Sequence, residues 1–113
     1  MRRAGSPRVV LVTCGSLKEA RKIAREVVSK RLAACVNVVR SPVDSFYTWK
    51  GKLENAREYL LIIKTTSKQL SGLEREVKAL HSYEVPEFIA LPITEGSRKY
   101  LAWLSEASAR KRR

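Results

Sequence analysis

His81 is the only histidine among 113 residues, and it opens the stretch His81-Ser82-Tyr83-Glu84-Val85-Pro86-Glu87. An imidazole ligates Cu²⁺ or Zn²⁺, and nearby carboxylates complete such a site. His81 is therefore the candidate metal position, with Glu84 and Glu87 as weaker donors. One histidine does not define a site, and a hydrogen-bonded place in a cleft between subunits suits it equally. Cys14 and Cys35 are the only cysteines, too few for a disulfide framework. In a reducing compartment they read as free, partly buried thiols. Glu58 and Lys64 stand six residues apart in an apolar strand, hence on one face. About 20 Å separates them along that strand. One reading makes each half of a structural ion pair with a partner from elsewhere. The other is a ligand cleft lined by Tyr47, Trp49, Lys64, His81 and Tyr83, where aromatics enclose the ligand and the lysine holds an anion. Nothing resembles an activated nucleophile, a phosphate-cradling glycine loop or a spaced metal cluster, so the chain is read as a non-enzyme.

Positioning these residues takes a specific order of elements. Arg8-Val9-Val10-Leu11-Val12-Thr13-Cys14 is a β-branched apolar run that ends at Gly15, the pattern of a buried strand. Ser16 with Glu19 three residues on forms a capping box. Leu17, Ala20, Ile23, Ala24, Val27, Val28 and Leu32 then recur at helical spacing. A second strand spans residues 34–39, breaks at Ser41-Pro42 and resumes over 43–49. Lys50-Gly51-Lys52 turns the chain into a third strand that returns through Glu58 to Thr65. Thr66 and Gln69 suggest another capping box, before a helix with Leu70, Leu73, Val77 and Leu80 on its buried stripe. Residues 88–93 form the fourth strand, and Pro92 places it at a sheet edge or a bulge. An amphipathic helix over 97–107 closes the domain. The order β-α-β-β-α-β predicts an α+β fold of the ferredoxin-like, split-βαβ kind, with both helices on one face of an antiparallel sheet. That topology sets Cys14 and Cys35 at opposite ends of the sheet, which excludes an intrachain disulfide or shared metal.

Charge and length narrow the function classes. The net charge is +12, but Arg2, Arg3, Arg8, Arg110, Lys111, Arg112 and Arg113 account for seven of the 23 basic residues. Residues 1–8 and 108–113 are read as basic tails around a single domain over 9–107. The body is only mildly basic, so no specific nucleic-acid partner is expected. No apolar run reaches the roughly 20 residues of a membrane span, and no cleavage signal follows the N-terminus. A cytoplasmic location is the expectation.

One copy looks insufficient. Residues 34–49 would extend about 50 Å as a strand, whereas a domain of this size has a radius of gyration near 13 Å. The hairpin must bend sharply or project. Its far half carries Val43, Phe46, Tyr47 and Trp49, which are costly to leave in water beside a bare strand edge. A symmetric partner that extends the sheet solves both problems, with Phe46, Tyr47 and Trp49 in the interface.

At this point the residues resemble a known family. Leu32-Ala33-Ala34-Cys35-Val36-Asn37, Tyr47-Thr48-Trp49-Lys50-Gly51-Lys52-Leu53, Glu58, Ile63-Lys64-Thr65, the 81–87 stretch and Tyr100-Leu101-Ala102-Trp103-Leu104 are similar in order and spacing to the CutA family. The similarity covers residues 9–105. It implies a ferredoxin-like protomer in a homotrimer paired through long hairpins, and a role in tolerance of divalent cations, copper especially. No cofactor is required, though Cu²⁺ or another divalent cation is the implied ligand. The trimer also resembles PII signalling proteins, so a small-molecule or signalling trimer without a metal role is the alternative. Ser82 stands where the family has proline. Val12 and Leu80 occupy places where some metal-binding members have extra cysteine or histidine.

Overall fold

The computed structural model describes residues 5–109; Arg2, Arg3 and the basic run 110–113, assigned above to tails, lie outside them. The elements are β1 (Pro7–Cys14), α1 (Leu17–Ser29), β2 (Cys35–Val38), β3 (Val43–Trp49), β4 (Lys52–Thr66), α2 (Leu70–Leu80), β5 (Ile89–Pro92) and α3 (Arg98–Ala107). The sheet runs β2-β4-β1-β5, with β3 also on β4, and every pairing is antiparallel. This is the α+β, split-βαβ arrangement that the element order predicts. β5 is an edge strand, which suits the missing N–H of Pro92, and β2 lies at the opposite edge.

Strand parity builds the core. Val10, Val12 and Cys14 pair with Ile63, Leu61 and Tyr59, so these six share one face. Ala20, Ile23 and Val27 of α1 and Leu73 and Val77 of α2 close over that face, and all five are fully buried. Each Leu-, Ile- or Val-sized side chain so buried contributes about 1.5–3 kcal/mol. The opposite face carries Val9, Leu11, Leu60 and Ile62, which stay only partly covered, and Ile89 and Leu91 of β5 are exposed.

Helix ends differ in detail from the expectation. Ser16 Oγ accepts from the Glu19 N–H at 3.1 Å and caps α1, but the Glu19 carboxylate turns away to bond the Ser82 N–H. The Thr66–Gln69 capping box does not form. A 3-10 turn over Ser67–Gln69 intervenes, and the Gln69 amide donates instead to the Ser108 carbonyl at 2.8 Å. Arg31 leaves α1 in the left-handed region, at φ 59°, and its guanidinium donates to the Glu106 and Ala109 carbonyls at the end of α3. Arg8, read above as tail, is a β1 residue paired with Thr65.

The second strand does break at Ser41-Pro42. Val38 pairs with Leu61 and Val43 with Glu58, so residues 39–42 bulge out where β4 advances by only two intervening positions. β4 continues unbroken for 15 residues, about 50 Å, and the molecule measures 51 × 31 × 25 Å. The hairpin therefore projects, and β3 makes extensive contact with β4 alone. Trp49 pairs with Lys52 across a two-residue turn with φ 53° at Lys50 and 79° at Gly51, the signs of a type I′ turn. Gly51→Val puts a β-branched residue into that left-handed position and is expected to lower unfolding free energy by about 1–2 kcal/mol. Urea unfolding measures it; an unchanged midpoint rules the turn out as a determinant of the hairpin.

Candidate functional site

A groove of about 710 Å³ lies where the hairpin leaves the body. Alternation explains its walls. The register Val43↔Glu58, Ser45↔Ala56, Tyr47↔Glu54 and Trp49↔Lys52 puts Ser45, Tyr47 and Trp49 on the same face as Glu58. Thr13 reaches the groove from the end of β1, and residues 83–87 close the far side. The Tyr83 hydroxyl donates to Glu58 Oε2 at 2.7 Å and fixes the loop against the sheet. Gly15 permits this approach, since a Cβ there would stand 3.2 Å from that hydroxyl.

Every charged residue lining the groove is a glutamate: Glu58, Glu84 and Glu87. Glu58 is 5% exposed. Burial raises the Glu87 carboxyl above its ordinary range, and the nearby Glu58 adds to the effect. Burial, followed by the bond to Glu58, also raises the Tyr83 phenol, which therefore stays a hydrogen-bond donor.

Of the expected cleft, Tyr47, Trp49 and Tyr83 come together within one chain, joined by Phe46, Glu84 and Glu87. Lys64 lies elsewhere on β4, where its ammonium donates to Asn37 Oδ1. Among the described residues neither Glu58 nor Lys64 meets an opposite charge: Glu58 is held by Tyr83, and Lys64 by Asn37. His81 stacks beside Tyr83 with ring centroids 4.7 Å apart, yet its side chain is wholly buried and does not line the groove.

His81 instead faces inward. Its Nε2 lies 2.7 Å from the Thr13 carbonyl, and its Nδ1 accepts from the Tyr83 N–H at 3.1 Å. A carbonyl only accepts, so Nε2 carries the proton. Cys14 Sγ, a Glu19 carboxylate oxygen and a His81 ring nitrogen all lie within 4.8 Å of one another. Burial, with help from Glu19 and Glu58, pushes the Cys14 thiol up to about 12. Cys35 is remote: it pairs with Lys64 while Cys14 pairs with Tyr59, five residues away on β4 and thus about 17 Å along it.

Sequence reasoning did not bring Cys14, Glu19 and His81 together. Glu19 had been absorbed by the capping box and Cys14 by the strand end. The topology held the signal, because β1 ends, α1 begins and α2 ends at one edge of a split-βαβ sheet.

No described helix is long and apolar enough to cross a membrane. The sequence profile of the CutA1 divalent ion tolerance protein family matches residues 8–107. The divalent-cation tolerance protein CutA of Thermus thermophilus is 51% identical over 98 residues, 87% of this chain and 94% of that protein. The Arabidopsis thaliana protein described as CutA, chloroplastic, is 48% identical over 100 residues, 88% of this chain but 54% of that longer protein. The solved Thermus thermophilus CutA1 structure superposes with a TM-score of 0.89 at 48% identity, covering 91% of this chain and 99% of its own. A profile match across nearly the whole domain, with a shared fold, makes this chain a member of the CutA1 divalent ion tolerance family.

Proposed function

We propose that this protein serves divalent-cation tolerance as a homotrimer, holding a cation in the groove at the base of each hairpin. The observation that carries the reading is the charge of the groove. In a chain of net charge +12, its charged lining consists of three glutamates with no basic residue among them. Such a concavity concentrates cations and repels anions, which turns the ligand expected above from an anion to a cation.

The donors are of the oxygen class a divalent cation takes, although the three carboxylates are not gathered within 4.8 Å of one another in the way Cys14, Glu19 and His81 are. Glu58, Glu84 and Glu87 supply carboxylates, and the Tyr83 hydroxyl orients Glu58. Oxygen sets of this kind suit Mg²⁺, Ca²⁺ or Mn²⁺ better than copper, which prefers nitrogen and sulfur. Phe46, Tyr47 and Trp49 would exclude water from the ion's outer side, strengthening its attraction to the carboxylates.

The trimer is supported by what a lone chain leaves bare. Phe46 is 69% and Leu53 76% exposed on the projecting hairpin, while Ile89 and Leu91 stand exposed beside the open sheet face. Exposed large apolar side chains in both places mark surface that a partner would cover, and three is the number of copies the family resemblance implies.

Calorimetric titration with Mn²⁺ tests the groove. Replacing Glu84 and Glu87 together by Gln is expected to weaken binding at least tenfold, and equal affinity in the two proteins discards the groove. Light scattering tests the assembly, with three chain masses expected for the wild type. Trp49→Asp should shift the mass toward a single chain at micromolar concentration, because it sets a charge in an apolar contact. A wild-type protein that runs as one chain, or a variant that stays fully trimeric, refutes the hairpin interface.

A further inference from the structure

The geometry points to a second binding site, for an organic phosphate, in a hollow of about 450 Å³ between α1 and the edge strand β2. Three arginines rim it: Arg21 and Arg25 from α1, and Arg40 from the chain just beyond β2. Ala24, Val28, Val36 and Val38 complete the lining, and among the described residues no carboxylate contributes to it. The ligand class is a phosphate group joined to a compact apolar body.

Periodicity assembles the hollow. Arg21 and Arg25, like Ala24 and Val28, stand four residues apart, so each pair lies on one flank of the helix. Val36 and Val38 pair with the core residues Ile63 and Leu61, which turns both valines toward the helices. The Val39 N–H still donates to the Leu60 carbonyl at 2.9 Å and keeps the chain on the sheet up to Arg40. β2 is the last strand on this side, so the flank stays open. Val28 is 39% exposed, and Val36 and Val38 are only half-buried. The hollow thus sits on the helix side of the sheet, whereas Tyr47, Trp49 and Glu58 mark the groove on the other.

The charge of the rim is what calls for a ligand. Among the described residues, the ion pairs involve Lys30, Lys78 and His81, and the arginine side chains that form hydrogen bonds are Arg8 and Arg31. Arg21, Arg25 and Arg40 have no such partner there. The carboxylates of α1 are engaged elsewhere: Glu19 accepts from the Ser82 N–H, and Glu26 lies 3.8 Å from Lys30. Arg21 and Arg25 set like charges one turn apart, an arrangement that weakens a helix unless an anion joins them. A guanidinium fork donates two parallel hydrogen bonds to a phosphate, and a phosphate dianion neutralises more of this rim than a carboxylate does. The apolar lining defines the rest of the ligand. Inorganic phosphate leaves Val28, Val36 and Val38 in water, whereas a ring attached to the phosphate covers them. The volume falls within the roughly 300–1,000 Å³ of small-molecule sites.

Phenyl phosphate is the probe, titrated into the full-length protein by calorimetry and followed by phosphorus NMR. It is expected to bind at least tenfold more tightly than inorganic phosphate. Arg21→Gln/Arg25→Gln should weaken it at least tenfold, and Arg40→Gln at least threefold. Val28→Glu, at an exposed position, puts a carboxylate into the hollow and should weaken it at least tenfold as well. Lys68→Gln/Arg75→Gln removes two exposed cations outside the lining and should leave the affinity within twofold, with every variant folded by circular dichroism. No saturable binding at millimolar phenyl phosphate overturns the site. Equal affinity for inorganic phosphate overturns it too, because the apolar lining then plays no part. So does equal weakening by the Lys68/Arg75 variant, which would reduce the effect to diffuse attraction by a basic protein.

Discussion

β4 is hydrogen-bonded to β1 and β2 over its second half and to β3 over its first, so a single 15-residue strand holds the core at one end and the hairpin at the other. The ladder is continuous, and a paired strand cannot fold back on itself without losing several hydrogen bonds. A strand of about 50 Å therefore sets the long dimension of a body otherwise 31 × 25 Å. Two consequences follow from that one length. The aromatic residues of β3 stand away from the helices, and the groove forms at the point where support from the body ends.

The same strand distributes chemistry by parity. Tyr59, Leu61 and Ile63 turn to the helices and fill the core, while Glu58 turns to the open face with Val43, Ser45, Tyr47 and Trp49. Glu58 is tolerated at 5% exposure because the Tyr83 hydroxyl meets it; a buried carboxylate without a donor would cost several kcal/mol. A one-residue slip of β3 against β4 would exchange Tyr47 and Trp49 for Phe46 and Thr48 on the groove face. The left-handed Lys50-Gly51 turn prevents that slip by fixing the register from the tip.

Most of the fold was legible because apolar periodicity carried it. β1, α1, α2 and α3 are recoverable from the spacing of residues such as Val10, Val12, Ile23, Val27, Leu73 and Val77, and of the edge or bulge that Pro92 allows, the structure has the edge. The errors arose where polar side chains had competing partners. Gln69 fits a capping-box pattern with Thr66, but the Ser108 carbonyl, 39 positions away, takes its amide. Glu19 fits the box with Ser16, yet its carboxylate serves residues 81 and 82. Lys64 invites a carboxylate and receives Asn37. Local spacing states which bonds a side chain is able to make; which one it does make depends on partners brought near by tertiary structure. The candidate groove divides along the same line: Tyr47 and Trp49 share a hairpin face, whereas Lys64 lies elsewhere on β4 and the loop carrying Glu84 and Glu87 has no periodicity to place it.

Thr13 and Cys14 show how neighbouring positions come to serve different chemistry. They are adjacent in β1, so their side chains point to opposite faces, Thr13 toward the carboxylate-lined groove and Cys14 toward the helices. The first face opens to the groove and carries oxygen donors. The second is dry, and burial keeps the Cys14 thiol protonated until something displaces the proton. Tyr83 spans both environments, with its hydroxyl on Glu58 and its backbone N–H on His81 Nδ1. A change in the geometry of either set of donors must therefore be accommodated by the same residue. That shared member ties the surface groove to the buried imidazole, alongside the direct chain connection from Thr13 to Cys14.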